Sequence, residues 1–161
     1  MQISKTGRKD RLLKQKNNDV YLEKSKNSES TICTKCRSLY LKGRWTWEKP
    51  VKETHESTCP ACRRIADNYP AGTIELSGSF FAEHHSEIMN LIHNTEQQEK
   101  QAHALERIMH TKSGHNQTTI TTTGIHLARR IGEALSRSYK GDYSFQYLDA
   151  EKGIRVQWSR S

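Results

Sequence analysis

Thr31-Ile-Cys33-Thr-Lys-Cys36-Arg-Ser-Leu-Tyr40-Leu-Lys-Gly43-Arg-Trp45-Thr-Trp47 and, further on, Cys59-Pro-Ala-Cys62-Arg-Arg64 contain all four cysteines of the 161-residue chain. The spacing is C-x2-C, 22 residues, C-x2-C. Each hook can place two thiolates on one edge of a tetrahedral ion, and two hooks close the shell at about 2.3 Å per Zn–S bond. Zn2+ is the cofactor this pattern predicts, with Cys33, Cys36, Cys59 and Cys62 as ligands. An iron–sulfur cluster is compatible with four cysteines. Disulfides suit an oxidising compartment, and a redox pair needs only one hook. Lys35, Arg37, Arg63 and Arg64 flank the hooks, where positive charge favours thiolates. Four sulfur ligands leave no position for water, so such a metal holds a fold and does not activate a nucleophile.

Working outward, Leu39–Trp47 alternates in strand fashion around Gly43, and Pro50 interrupts it. Residues 31–70 are too few and too polar to build a core alone, and a metal would supply the missing stability. They are expected to form a zinc ribbon with four cysteine ligands. Residues 71–161 read as an α+β domain. A strand is predicted over Gly72–Phe81 and a helix from Ala82 to about Gln98, with Ile88, Leu91 and Ile92 on one side. The stretch to His110 continues that helix or starts another element. Lys112–Gln117 reads as a turn, and Thr118–Thr123 as a β-branched strand. Ile125–Tyr139 carries a helical stripe of Ile125, Ala128, Ile131 and Leu135, with Gly141 as a stop. Tyr143–Leu148 and Ile154–Trp158 alternate about Asp149–Gly153 as a hairpin. The order is approximately β-α-β-α-β-β, a two-layer α/β sandwich.

Residues 1–30 are rich in Lys, Asn, Ser and Gln and bury too little to order themselves, so they read as a disordered basic tail. Apolar residues make up 33% of the chain, in keeping with a part held by something other than a large core. Charge is distributed unevenly. Residues 1–30 hold eight basic and four acidic side chains, residues 31–72 again eight and four, and residues 73–161 ten of each. The whole excess of +8 therefore lies in the first 72 positions. A phosphate-contacting surface explains that asymmetry, whereas solubility alone does not require it. Arg8, Lys9 and Arg11 in the tail, and Lys35, Arg37, Lys42, Arg44, Arg63 and Arg64 in the ribbon, are the candidate nucleic-acid contacts. Trp45 and Trp47 lie among them, set either to stack on bases or to pack against the next domain. Tyr143, Phe145 and Tyr147 form a stripe read first as a core face and second as a stacking platform. Arg129, Arg130, Glu133 and Arg137 read as a solvated helix face.

Nothing points to catalysis. Adjacent His84 and His85 diverge around a helix and cannot chelate as i, i+4 residues do, and His126 starts a helix. No apolar run approaches the roughly 18 residues of a membrane span, and no secretory signal opens the chain, so a cytoplasmic protein with no membrane partner is expected; with no catalytic signature, no small-molecule substrate is expected either.

Through Cys33-x2-Cys36, Gly43-Arg-Trp-Thr-Trp47, Cys59-Pro-x-Cys62-Arg-Arg, Phe80-Phe81-Ala-Glu-His84 and His126-Leu-Ala-Arg-Arg-Ile-Gly-Glu-Ala-Leu135, the chain resembles a family of small bacterial zinc-ribbon proteins. The resemblance covers nearly the whole length, Arg8–Leu13 included. That family is in turn similar to the N-terminal zinc-binding part of the large-subunit export adaptor of archaea and eukaryotes. The shared features are the two hooks, the Cys-Pro-x-Cys form and the Arg pair that follows. The adaptor has further hooks, so its second metal site has no counterpart here. The resemblance implies a ribosomal or rRNA partner ahead of DNA. A DNA-binding regulator and a protein-interaction module are the alternatives, and no recognition helix supports the former.

Overall fold

A computed structural model describes residues 30–50, 53–148 and 152–161. The tail contacts predicted at Arg8, Lys9 and Arg11 lie outside these residues. Four short strands build the cysteine segment: β1 (Thr31–Cys33), β2 (Leu39–Leu41), β3 (Arg44–Thr46) and β4 (His55–Ser57). They lie in the order β3-β2-β1-β4, with β4 parallel to β1 and the other pairs antiparallel. The β2–β3 turn places both Lys42 (φ 53°) and Gly43 (φ 89°) in the left-handed region, as the twist of a tight hairpin demands. Helix α1 (Pro60–Asp67) completes this part, where the sequence predicts no helix. It starts with proline in its first turn and ends on Asn68 at φ 54°.

The second part runs β5 (Gly72–Ser77), α2 (Ser79–Glu83), α3 (His85–Ala102), β6 (Ile108–Gly114), β7 (Gln117–Thr122), α4 (Ile125–Tyr139), β8 (Asp142–Leu148) and β9 (Gly153–Ser159). Its five strands are ordered β6-β7-β5-β9-β8, with β5 and β9 parallel and the other neighbours antiparallel. The expected β-α-β-α-β-β order is thus corrected to β-α-α-β-β-α-β-β. The added strand β6 takes up Lys112–Gly114, leaving only His115-Asn116 as the turn. Phe80-Phe81 belongs to α2, because Gly78 at φ 107° bends the chain out of β5.

Period-2 alternation decides which sheet face is covered. Ile74 and Leu76 of β5, Ile120 of β7, and Ile154, Val156 and Trp158 of β9 are buried under Ile88 and Ile92 of α3 and Leu127, Ile131 and Leu135 of α4. Tyr143 and Tyr147 of β8 pack against the same core, while Phe145 remains 41% exposed beneath the Arg129 guanidinium, 4.7 Å from its ring centroid. At Gly132 a Cβ would meet Tyr143 Cε1 at 2.4 Å and Val156 Cγ1 at 2.8 Å, so α4 approaches the sheet through glycine. No helix among the described residues is long and apolar enough to cross a membrane.

Candidate metal centre

The first hook is the turn that follows β1. Cys33 accepts the Arg37 amide at its carbonyl, and its own amide donates to the Ser38 carbonyl. Arg37 takes a left-handed φ of 71° to close this turn. The second hook is the start of α1. Cys59 is its N-cap, and its Sγ accepts the Cys62 amide at 3.4 Å, the place where serine or aspartate more often serves. The hooks meet where the Cys59 amide donates to Cys33 Sγ at 3.3 Å, and the Lys35 amide reaches the same sulfur at 3.4 Å.

This brings all four predicted ligands together. The four Sγ atoms lie within 4.8 Å of one another, and all are free thiols. Cys33 and Cys59 are fully buried, and Cys36 and Cys62 half-buried. A tetrahedron with arms of about 2.3 Å has edges of about 3.8 Å, and Cys36 and Cys59 already have that separation, 3.8 Å. The donor set therefore fits a tetrahedral metal ion, held by Cys33, Cys36, Cys59 and Cys62.

Proton affinities within the group diverge. The Cys59 side chain holds the Cys36 thiol down to about 3, helped by Ser38 and by the charge of Arg107. The same contact and burial push Cys59 up. Burial raises Cys33, but amides of Cys36, Cys59 and Lys35 outweigh it and leave that thiol lowered. Burial raises Cys62. Thiols this close cannot all ionise without a cation among them.

One such cation comes from the other half of the chain. Arg107, between α3 and β6, is only 7% exposed. Its Nη2 donates to Cys36 Sγ at 3.0 Å and Cys59 Sγ at 3.4 Å, and its Nη1 to Cys62 Sγ at 3.3 Å. Its Nε donates to the Ala104 carbonyl at 2.9 Å, and its amide to Thr123 Oγ1 at 2.9 Å. The guanidinium thus lies across three of the four sulfurs while rooted in the α+β domain. Sequence reasoning missed it.

The other candidates fall into three groups. Lys35, Arg37, Lys42 and Arg44 are exposed on the first hook and the β2–β3 hairpin. Arg63 is half-buried, and Arg64 is 5% exposed with Nη1 donating to the Tyr69 carbonyl at 3.0 Å, which closes the C-terminal end of α1. Both tryptophans lie in the joint between the two parts. Trp45 packs with Cys33, Cys59, Ala61 and Ala104. Trp47 donates Nε1–H to the Lys100 carbonyl at 2.7 Å and lies under the Lys100 and Arg107 cations. Comparison with protein-family models, with curated proteins and with solved structures finds no match.

Proposed function

We propose that this chain is a non-enzymatic zinc protein that associates with the ribosome or ribosomal RNA. The observation that carries the reading is the sulfur quartet itself. A closed four-thiolate shell suits zinc as a fold-holding ion and has no position for a reacting water. Around it, the hook and hairpin turns present Lys35, Arg37, Lys42 and Arg44 to solvent, in the half of the sequence that holds all the excess positive charge. Flexible cations on rigid turns suit a phosphate backbone. The family resemblance gives the direction towards ribosomal RNA.

Sedimentation of lysate through sucrose gradients at low and high salt tests this. Each phosphate contact adds roughly 0.7–0.9 to the log–log salt slope. Four ribbon contacts would therefore weaken binding about 50–150-fold over a fourfold rise in salt. The protein is expected to travel with a ribosomal subunit at low salt and to be released at high salt. Remaining at the top of the gradient at every salt concentration, in growing and in stationary cells, would overturn the reading.

A further inference from the structure

The cleft between the metal-binding part and the α+β domain is a second site, and we infer that it receives a single unpaired RNA base. Its volume is about 440 Å³. That lies within the range of about 300–1,000 Å³ typical of small-molecule sites, which favour domain interfaces. This inference rests on the RNA reading above and deepens it by naming what the protein would grip besides phosphate.

Three features of the cleft match the face of a base, its hydrogen-bonding edge and its phosphate. The aromatic lining of the cleft is the half-buried Tyr40, whose ring meets that of the buried Trp45 at a centroid distance of 5.3 Å. Any base can stack on a tyrosine ring, because stacking is tolerant of sequence. The 102–106 loop and the start of α4 bring His103, Glu106 and His126 into the same lining. The two imidazoles meet edge to face at 6.0 Å. Glu106 Oε1 accepts the Leu127 amide at 2.8 Å, leaving Oε2 without a hydrogen-bond partner among the described residues. Burial raises the proton affinity of this carboxyl against the pull of that amide. Imidazole and carboxyl groups together offer donors and acceptors to a base edge. The lining also carries a cation: Gly43 and the exposed Arg44 belong to it, and Lys42 precedes them in the same turn. Neither cation has an ion-pair partner among the described residues. Gly43 is exposed, and nothing lies within 4 Å of where its side chain would begin. A base between Tyr40 and the histidines would leave its phosphate at this turn.

The test is titration of the zinc-loaded full chain with each of the four 5′-ribonucleoside monophosphates, and separately with inorganic phosphate. Amide shifts of Gly43, Ala104 and His126 are followed by NMR. At least one nucleotide is expected to give saturable shifts at all three positions, and phosphate none at Ala104 or His126. Ala102, exposed at the rim, provides a steric block: Ala102→Phe should weaken nucleotide binding at least tenfold while leaving zinc content unchanged. Absence of saturable shifts with every nucleotide on the native protein overturns the inference, whatever becomes of the variant. So does binding that Ala102→Phe does not weaken. The ribosomal reading is judged separately, because the blocked variant keeps Lys35, Arg37, Lys42 and Arg44. It should still sediment with a subunit at low salt, and loss of sedimentation by the native protein would sink that reading while nucleotide binding stood.

Discussion

Replacing Arg107 by methionine removes the guanidinium but keeps most of the apolar stem. The variant leaves three sulfurs without the N–H donors that now reach them at 3.0, 3.3 and 3.4 Å. A hydrogen bond to a charged group contributes about 1.5–3 kcal/mol, but three made by one group to one cluster do not add. Loss of an outer-shell partner usually lowers metal affinity about 10–100-fold, which is about 1.4–2.7 kcal/mol. The upper half of that range is expected here. Four thiolates around a divalent ion retain two negative charges, and Arg107 is a buried cation that touches three of them. Arg107→Lys should fall in between, because an ammonium is a point charge and cannot span three sulfurs as a planar fork does.

Competition with a chromophoric chelator measures the affinity directly. Cobalt substitution adds a reading that a general loss of packing would not move, because the thiolate-to-metal charge-transfer band reports electron density on the sulfurs. The band should shift in Arg107→Met and shift less in Arg107→Lys. If the methionine variant binds zinc within twofold of the native protein, with both parts folded and the cobalt band unmoved, the guanidinium contacts do not support the metal.

Cys36→Ser should abolish stoichiometric zinc binding and hydrogen-exchange protection in β1–β4, while Ile74, Ile120 and Val156 stay protected; elemental analysis and exchange mass spectrometry read the two effects. Trp47→Phe keeps an aromatic ring but leaves the Lys100 carbonyl unpaired, costing about 1–3 kcal/mol in a denaturant titration; an unchanged midpoint would show that this bond does not join the two parts. Gly132→Ala places a methyl group against Tyr143 and Val156 and should destabilise by about 1–3 kcal/mol with zinc binding intact. Cys36 is lowered from 9.0 to about 3, so its thiolate contribution is complete above the first value and lost as pH falls towards the second. Protons compete with a metal for all four thiolates, so zinc retention on dialysis should decline as pH is lowered, and Arg107→Met should lose its metal at a higher pH than the native protein.

What could be read from sequence follows from how local its cause is. Helix α4 was legible because its apolar stripe and the stop at Gly141 lie within one short window, and its bounds agree with the structure. The β8–β9 hairpin and the cysteine hooks were legible for the same reason. Strand β6 was not, because Ile-Met-His-Thr-Lys-Ser-Gly lies at a sheet edge with its last five residues exposed and shows no alternation. Helix α1 has eight residues, too few for a convincing period, although proline after a capping cysteine was a usable sign. Arg107 was the least legible of all. It is one arginine in the electrically neutral part of the chain, and its partners lie 45, 48 and 71 residues away, so only the closed fold reveals them.

The position of Arg107 also changes what a bound metal would do. A ribbon that closed its own charge would fold and bind metal independently of its neighbour. Here the cation that covers three sulfurs is anchored at Ala104 and Thr123, and Trp47 of the cysteine segment is anchored at Lys100. Metal binding and docking of the two parts would therefore be linked, and linkage is reciprocal. If docking raises metal affinity about 10–100-fold through Arg107, bound metal favours docking by the same factor. Both Trp45 and the 102–106 loop belong to this joint, and together they form the interface cleft. A metal-free chain would then keep its five-stranded sheet but lose the cleft, so zinc removal should abolish nucleotide binding without a large change in the circular dichroism of the α+β domain. Nucleotide binding that survives chelation would show the cleft to be held by the domain alone, and the linkage would be absent.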